Sequence, residues 1–144
     1  MDKLKSEGEK LKGLHHKFKF KIRNFIKELK GMDEKMNELE IKCYMHGDDT
    51  CISHYDNFLL ALLEVKRKME RETVFKRKNC WDMIPYSLRP KNEFEWDIKS
   101  SDTLNAYQKF YECSKTSNES IVKLFQDHFD LEKSMLKKLA EFNR

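Results

Sequence analysis

LKGLHHKFKFKIRNFIKELKGMDEKMNELEIKC, residues 11–43, carries the pattern on which the fold turns. Leu11, Leu14, Phe18, Ile22, Phe25, Leu29, Met32, Met36, Leu39 and Cys43 follow one another at steps of three or four. Such steps average about 3.5 residues, the spacing of a coiled-coil-like seam. Lys, Glu, Asp and Asn fill the intervals and suit a solvated face. The stretch KFKFKIR (17–23) also alternates with period two, as a half-buried strand would. Its embedding in a sustained helical stripe decides for helix, and the spacing predicts one helix over 8–45, with residues 1–7 frayed.

Working outward, His46, Gly47, Asp48, Asp49 and Thr50 break the stripe. Gly47 suits the left-handed residue that closes a helix, and Ser53 or Thr50 can cap the next one. Ile52, Tyr55, Leu59, Leu62, Val65 and Met69 predict a second helix over 52–82. Pro85 and Pro90 stop or bend it. A third helix is expected over 99–142, capped by Ser100, Ser101 or Asp102. Its stripe opens with Leu104, Tyr107, Phe110 and Tyr111 and continues through Ile121, Leu124, Phe125, His128, Leu131, Met135, Leu139 and Phe142. Ser114, Thr116, Ser117 and Asn118 weaken its middle, so a split near 116 is an option. The expected core includes Phe18, Phe25, Leu29, Leu59, Leu62, Phe125 and Leu139.

Composition supports the same class. Only 4 Gly and 2 Pro occur in 144 residues, too few for the turns of a β-sandwich or for glycine-rich phosphate loops. The expectation is an all-α protein, three long amphipathic helices in one antiparallel bundle spanning 1–144. No apolar run is long enough to cross a bilayer, and the N-terminus is charged. These features point to a cytoplasmic protein, at most peripheral to a membrane, with its four cysteines reduced.

Cys43-x-x-His46 and Cys51-x-x-His54 flank the first turn. Zinc accepts two thiolates and two imidazoles tetrahedrally, so Cys43, His46, Cys51 and His54 are a metal-site alternative. Zinc spacings usually place a longer loop between the pairs, and the simpler account is a helix corner without metal. The two cysteines would bridge in an oxidising compartment. Cys80 and Cys113 read as small core residues. His15 and His16 are adjacent and point to different helix faces. No nucleophile elbow, phosphate loop or His-Glu-x-x-His is present, so the expectation is a non-enzymatic protein with no cofactor and no small-molecule substrate.

Basic residues gather in two places: Lys17, Lys19, Lys21 and Arg23 on the first helix, and Lys66, Arg67, Lys68, Arg71, Lys76, Arg77 and Lys78 on the second. The formal charge is only +4, from 29 Lys+Arg against 25 Asp+Glu, so an anionic partner is permitted rather than required. Lys17, Lys21, Lys66, Arg67, Lys68, Arg71, Lys76, Arg77 and Lys78 are the candidate residues for binding an anionic surface. The simpler account is a solvated face laced with ion pairs, since Glu64, Glu70 and Glu72 interrupt the second cluster. Trp81, Trp96, Tyr86, Phe94 and Phe75 surround the proline break and are expected to pack that joint.

Three long amphipathic helices with basic clusters on the first two resemble the BAR superfamily of membrane-curvature modules. The last helix, ESIVKLFQDHFDLEKSMLKKLAEFNR (119–144), is similar to the end of a sorting-nexin-type BAR helix. The resemblance implies a crescent homodimer whose concave basic face binds anionic lipid. The expected function is a non-enzymatic scaffold or membrane-associated module that self-associates or meets a helical partner. Alternatives are a protein–protein subunit of a larger assembly, or a small RNA- or ribosome-associated factor.

Overall fold

Helix α1 runs from Asp2 to His46, α2 from Asp49 to Glu70, α3 from Arg77 to Asp82 and α4 from Ser101 to Phe142. A six-residue π-helical segment, Arg71–Lys76, joins α2 to α3, and a 3-10 turn covers Tyr86–Leu88. This architecture comes from a computed structural model, which describes residues 2–142. The chain is 88% helical and has no strand among the described residues, as an all-α protein should.

The local chemistry explains the boundaries. Gly47 ends α1 at φ 60, the left-handed conformation that favours glycine. Asp48 then caps α2: its Oδ1 accepts the backbone N–H of Thr50 at 3.0 Å and of Cys51 at 3.1 Å. The cap is thus Asp48 rather than Thr50 or Ser53, because α2 begins at Asp49, three residues before the expected start at 52. Ser100 caps α4 by accepting from the Thr103 N–H at 3.2 Å. Pro85 and Pro90 lie beyond α3, where neither interrupts a helical hydrogen bond.

The expected weak point near 116 is absent, and α4 is continuous. Ser114, Ser117 and Asn118 are all buried, so their small size serves close packing rather than a break. Ser114 returns its hydroxyl to the Tyr111 carbonyl at 3.4 Å. At its other end, α1 is helical from Asp2, through the residues expected to fray. Gly8 meets Ile98 so closely that an added Cβ would lie 3.0 Å from its side chain, which fixes that end of the helix. Met1, Asn143 and Arg144 lie outside the described residues, as does the Phe142 side chain assigned to the stripe.

The chain divides into two compact units. The first comprises residues 1–21 and 70–122, the second 22–69 and 123–144. The core of the first is aromatic: Trp96, Tyr107 and Phe110 pack with Cys80, Ile84 and Ala106. Trp96 and Tyr107 rings lie 4.5 Å apart and Trp81 meets Phe110 edge-on at 5.8 Å. His15 is buried among them, 3.3 Å from the Tyr107 hydroxyl and 4.6 Å from the Phe94 ring. Tyr86 and Phe75, assigned to the same joint, are exposed instead.

The second unit has a core of Met36, Cys43, Cys51, Tyr55, Phe58, Leu62, Met135 and Leu139. Leu29, Leu62 and Leu139 are buried as expected, while Phe18, Phe25 and Phe125 are half-buried. Phe25 and Phe125 stack on each other at 5.7 Å. Leu59 is 42% exposed and is not core. Its neighbours Tyr55, Phe58 and Leu62 are buried. They fix the inward side of α2, and Leu59 falls at its margin.

Each unit carries a disulfide, Cys80–Cys113 in the first and Cys43–Cys51 in the second, and no cysteine among the described residues is free. The expectation of reduced cysteines is therefore corrected. The paired Cα atoms are 5.7 and 5.9 Å apart, the separation a bridge requires. Cys43 and Cys51 flank the Gly47 corner, and helix packing brings Cys80 to Cys113. Only the first juxtaposition can be seen in the order of residues.

Candidate functional site

The first unit bears an open groove of about 740 Å³ where the N-terminal part of α1 faces the middle of α4. Leu14, Phe18, Phe20, Tyr111 and Val122 give it apolar walls, and Lys17, Lys21 and Lys115 stand among them with His16 and Glu119. The origin of this chemistry is the KFKFKIR stretch. Read as a helix, its alternation sets Lys17, Phe20 and Lys21 at steps of three and four, on one exposed side. Phe20 is 65% exposed and Leu14 is 42% exposed, although Leu14 belongs to the apolar stripe. Asn118 lines the groove, is otherwise buried, and leaves its Oδ1 without a partner in the protein.

The nine candidate cations are divided between the two units. Lys17 and Lys21 are at this groove. Lys66, Arg67 and Lys68 are exposed on α2 in the second unit, and Lys68 pairs with Glu64 at 3.6 Å. Arg71 and Lys78 are exposed in the first unit. Lys76 pairs with Glu72 at 2.8 Å. The Glu72 carboxyl is buried, which by itself would raise its pKa, yet hydrogen bonds with Lys76 and Ser117 leave it below the usual value. Arg77 is an inward residue: it binds Glu93 at 2.6 Å and lies over the Phe18 ring at 5.1 Å. Its side chain is only 14% exposed, so it is not part of a binding face.

The disulfide between Cys43 and Cys51 removes both thiolates from the Cys43, His46, Cys51, His54 alternative, since sulfurs bonded to each other are not zinc ligands of the expected kind. A different cluster lies in the second unit. Asp33 of α1 and His128 and Glu132 of α4 bring one ligand atom each to within 4.8 Å of one another. His128 Nε2 is 3.0 Å from Glu132 Oε1. Burial and the neighbouring Asp33 carboxylate raise the Glu132 pKa well above the carboxylate range, and burial lowers that of His128. The sequence contains a hint of this: His128 occupies a stripe position with a glutamate four residues on, hence on the same face. Asp33 is 95 residues away in the chain and no local spacing points to it.

Set against known proteins, the chain matches no family model, no curated protein and no solved structure.

Proposed function

We propose that the protein is a non-catalytic binding module whose first unit engages an anionic bilayer surface through the groove between α1 and α4. The observation that carries this reading is the combination of Lys17, Lys21 and Lys115 with an exposed Phe20 and apolar walls. Each lysine near an anionic bilayer contributes about 1 kcal/mol, and a buried phenylalanine adds about 1.5–3 kcal/mol. Together these reach the range of peripheral attachment, and long lysine arms let the charges meet phosphate while Phe20 enters the apolar boundary. The groove volume is ample for part of an acyl chain. Asn118 Oδ1 offers an acceptor to a head-group N–H or O–H. The BAR resemblance implies the same class of target, reached by a concave face instead of a groove.

The two disulfides support folding in an oxidising compartment in place of the cytosol. That weighs against the RNA- or ribosome-associated alternative. No described helix is long and apolar enough to cross a membrane, so attachment would be peripheral.

Sedimentation with vesicles tests the reading. Wild-type protein pellets with phosphatidylserine vesicles at low salt and not with phosphatidylcholine alone. K17E/K21E abolishes pelleting and leaves the helical circular dichroism intact. Failure of the wild type to pellet ends the membrane reading. Binding of soluble oleate without pelleting replaces the bilayer with a free amphiphile. Pelleting lost only in R67E/R71E/K78E moves the site to the second basic cluster.

A further inference from the structure

We propose that Asp33, His128 and Glu132 form a binding site for one divalent transition-metal ion, with zinc as its best-fitting occupant. The three side chains come from two helices within the second unit, and their ligand atoms already converge to within 4.8 Å. His128 and Glu132 sit four residues apart on α4, so the helix itself sets their 3.0 Å approach. Bonds of about 2.0–2.2 Å to a tetrahedral ion place its ligands about 3.3–3.6 Å apart. The His128–Glu132 edge is close to that spacing, and modest rotation of the exposed Asp33 closes the others.

A second observation is independent of this convergence. Glu132 is 2% exposed, yet its Oε2 has no hydrogen-bond partner. A buried carboxylate oxygen without a partner is costly, and native proteins rarely leave one so. A proton shared with Asp33 or a bound cation would satisfy it. A neutral imidazole with two carboxylates carries a charge of −2, which a divalent ion cancels. Metal binding then displaces the shared proton, as it does at protein sites generally.

The donor set selects the metal. Calcium and magnesium prefer all-oxygen shells, whereas an imidazole nitrogen with carboxylates suits zinc and its neighbours. Asp33 is exposed, so it forms the mouth of the site and leaves a fourth position open to water. Lys66 lies near enough to influence both His128 and Glu132 and works against the added positive charge. It is exposed and free to swing away. The site belongs to the second unit and the features that carry the membrane reading to the first, and neither proposal depends on the other.

The test uses the oxidised chain, residues 1–144, after chelator treatment. Titration calorimetry with zinc shows one equivalent bound with micromolar or tighter affinity, and the thermal midpoint rises by several degrees. Calcium and magnesium at the same concentration change neither. Asp33→Asn and His128→Gln each weaken zinc at least tenfold. Glu132→Gln removes a buried ionisable group, so it keeps the helical signal and the metal-free melting midpoint while losing the zinc-induced rise. A control variant, H46Q/H54Q, retains the wild-type affinity. The proposal is overturned by wild-type protein that binds no zinc, by affinity unchanged in the three site variants, by loss of binding in H46Q/H54Q, or by calcium binding more tightly than zinc.

Discussion

The two units are built from the same long helices and solve the problem of a core in opposite ways. The first surrounds one buried histidine with aromatic rings and draws in a non-helical segment that supplies Phe94, Trp96 and Ile98. The second mixes methionine, leucine and cysteine side chains with Tyr55 and Phe58 between helices, and places a buried glutamate beside a histidine. The lesson is that one continuous amphipathic stripe does not imply one kind of interior. Along α1, the stripe residue Leu11 packs against the first unit's cluster, whereas Met36 and Cys43 belong to the second unit's.

Truncation at the centre of each core separates them most strongly. Phe110→Ala should cost about 3–5 kcal/mol and Leu139→Ala about 2–5 kcal/mol. Read by hydrogen exchange, the first lowers protection mainly in residues 70–122 and the second mainly in 22–69. An even loss throughout the chain in both variants would merge the units into one cooperative structure.

Next come the disulfides. Cys80–Cys113 spans 33 residues and Cys43–Cys51 spans 8. Chain-entropy arguments give about 4 kcal/mol for the longer loop and about 2.5 kcal/mol for the shorter. The double variant C80S/C113S should therefore lower the denaturation midpoint more than C43S/C51S. The reverse order would show that packing at the Gly47 corner outweighs loop closure.

A subtler difference is acid sensitivity. Burial, then the charge of Arg77 and that of His16, lowers the His15 pKa to about 4 from 6.5. Tyr107, Phe94 and Phe110 complete its surroundings. The folded pKa lies below the unfolded one, so the unfolded chain takes up the proton first as pH falls. This contribution to stability is intact above about 6.5 and is lost progressively toward about 4. His15→Leu should flatten that part of the stability profile. An unchanged slope would place the acid sensitivity outside the aromatic core. Smallest of all is Leu59→Ala, expected to stay within about 0.5 kcal/mol because the side chain lies at the margin of the core, 42% exposed.

The long helices were legible because 3.6-residue periodicity is local, although α1 begins at Asp2 rather than 8 and α2 at Asp49 rather than 52. Leu62 and Leu139 could be assigned to the core for that reason. Leu59 could not be separated from them, since a wide apolar stripe has margins that only the neighbouring helix defines. The serine-rich stretch at 114–118 looks like a break by propensity, and close packing reversed its meaning. For the groove, Lys17 and Lys21 could be singled out from sequence, but Lys115 and Asn118 lie about a hundred residues away and join them only through packing. Arg77 shows the same limit from the other side: nothing local distinguishes it from Lys76 or Lys78, and its pairing with Glu93 depends on how the segment after α3 returns. Asp33, likewise, is one acid among many until α4 brings His128 and Glu132 beside it.

The placement of the cysteines bears on how the chain matures. Four cysteines allow three pairings, and only one leaves both cores intact. Cys43 and Cys51 leave the ribosome first, already next to each other across the Gly47 corner. Cys113 follows about 60 residues later, a delay of several seconds at ordinary rates of synthesis of about 5–20 residues per second. An oxidant acting on the growing chain thus meets the short pair before its competitors exist. By the time Cys80 and Cys113 are both present, they have only each other to join, and the order of synthesis itself becomes a proofreading step.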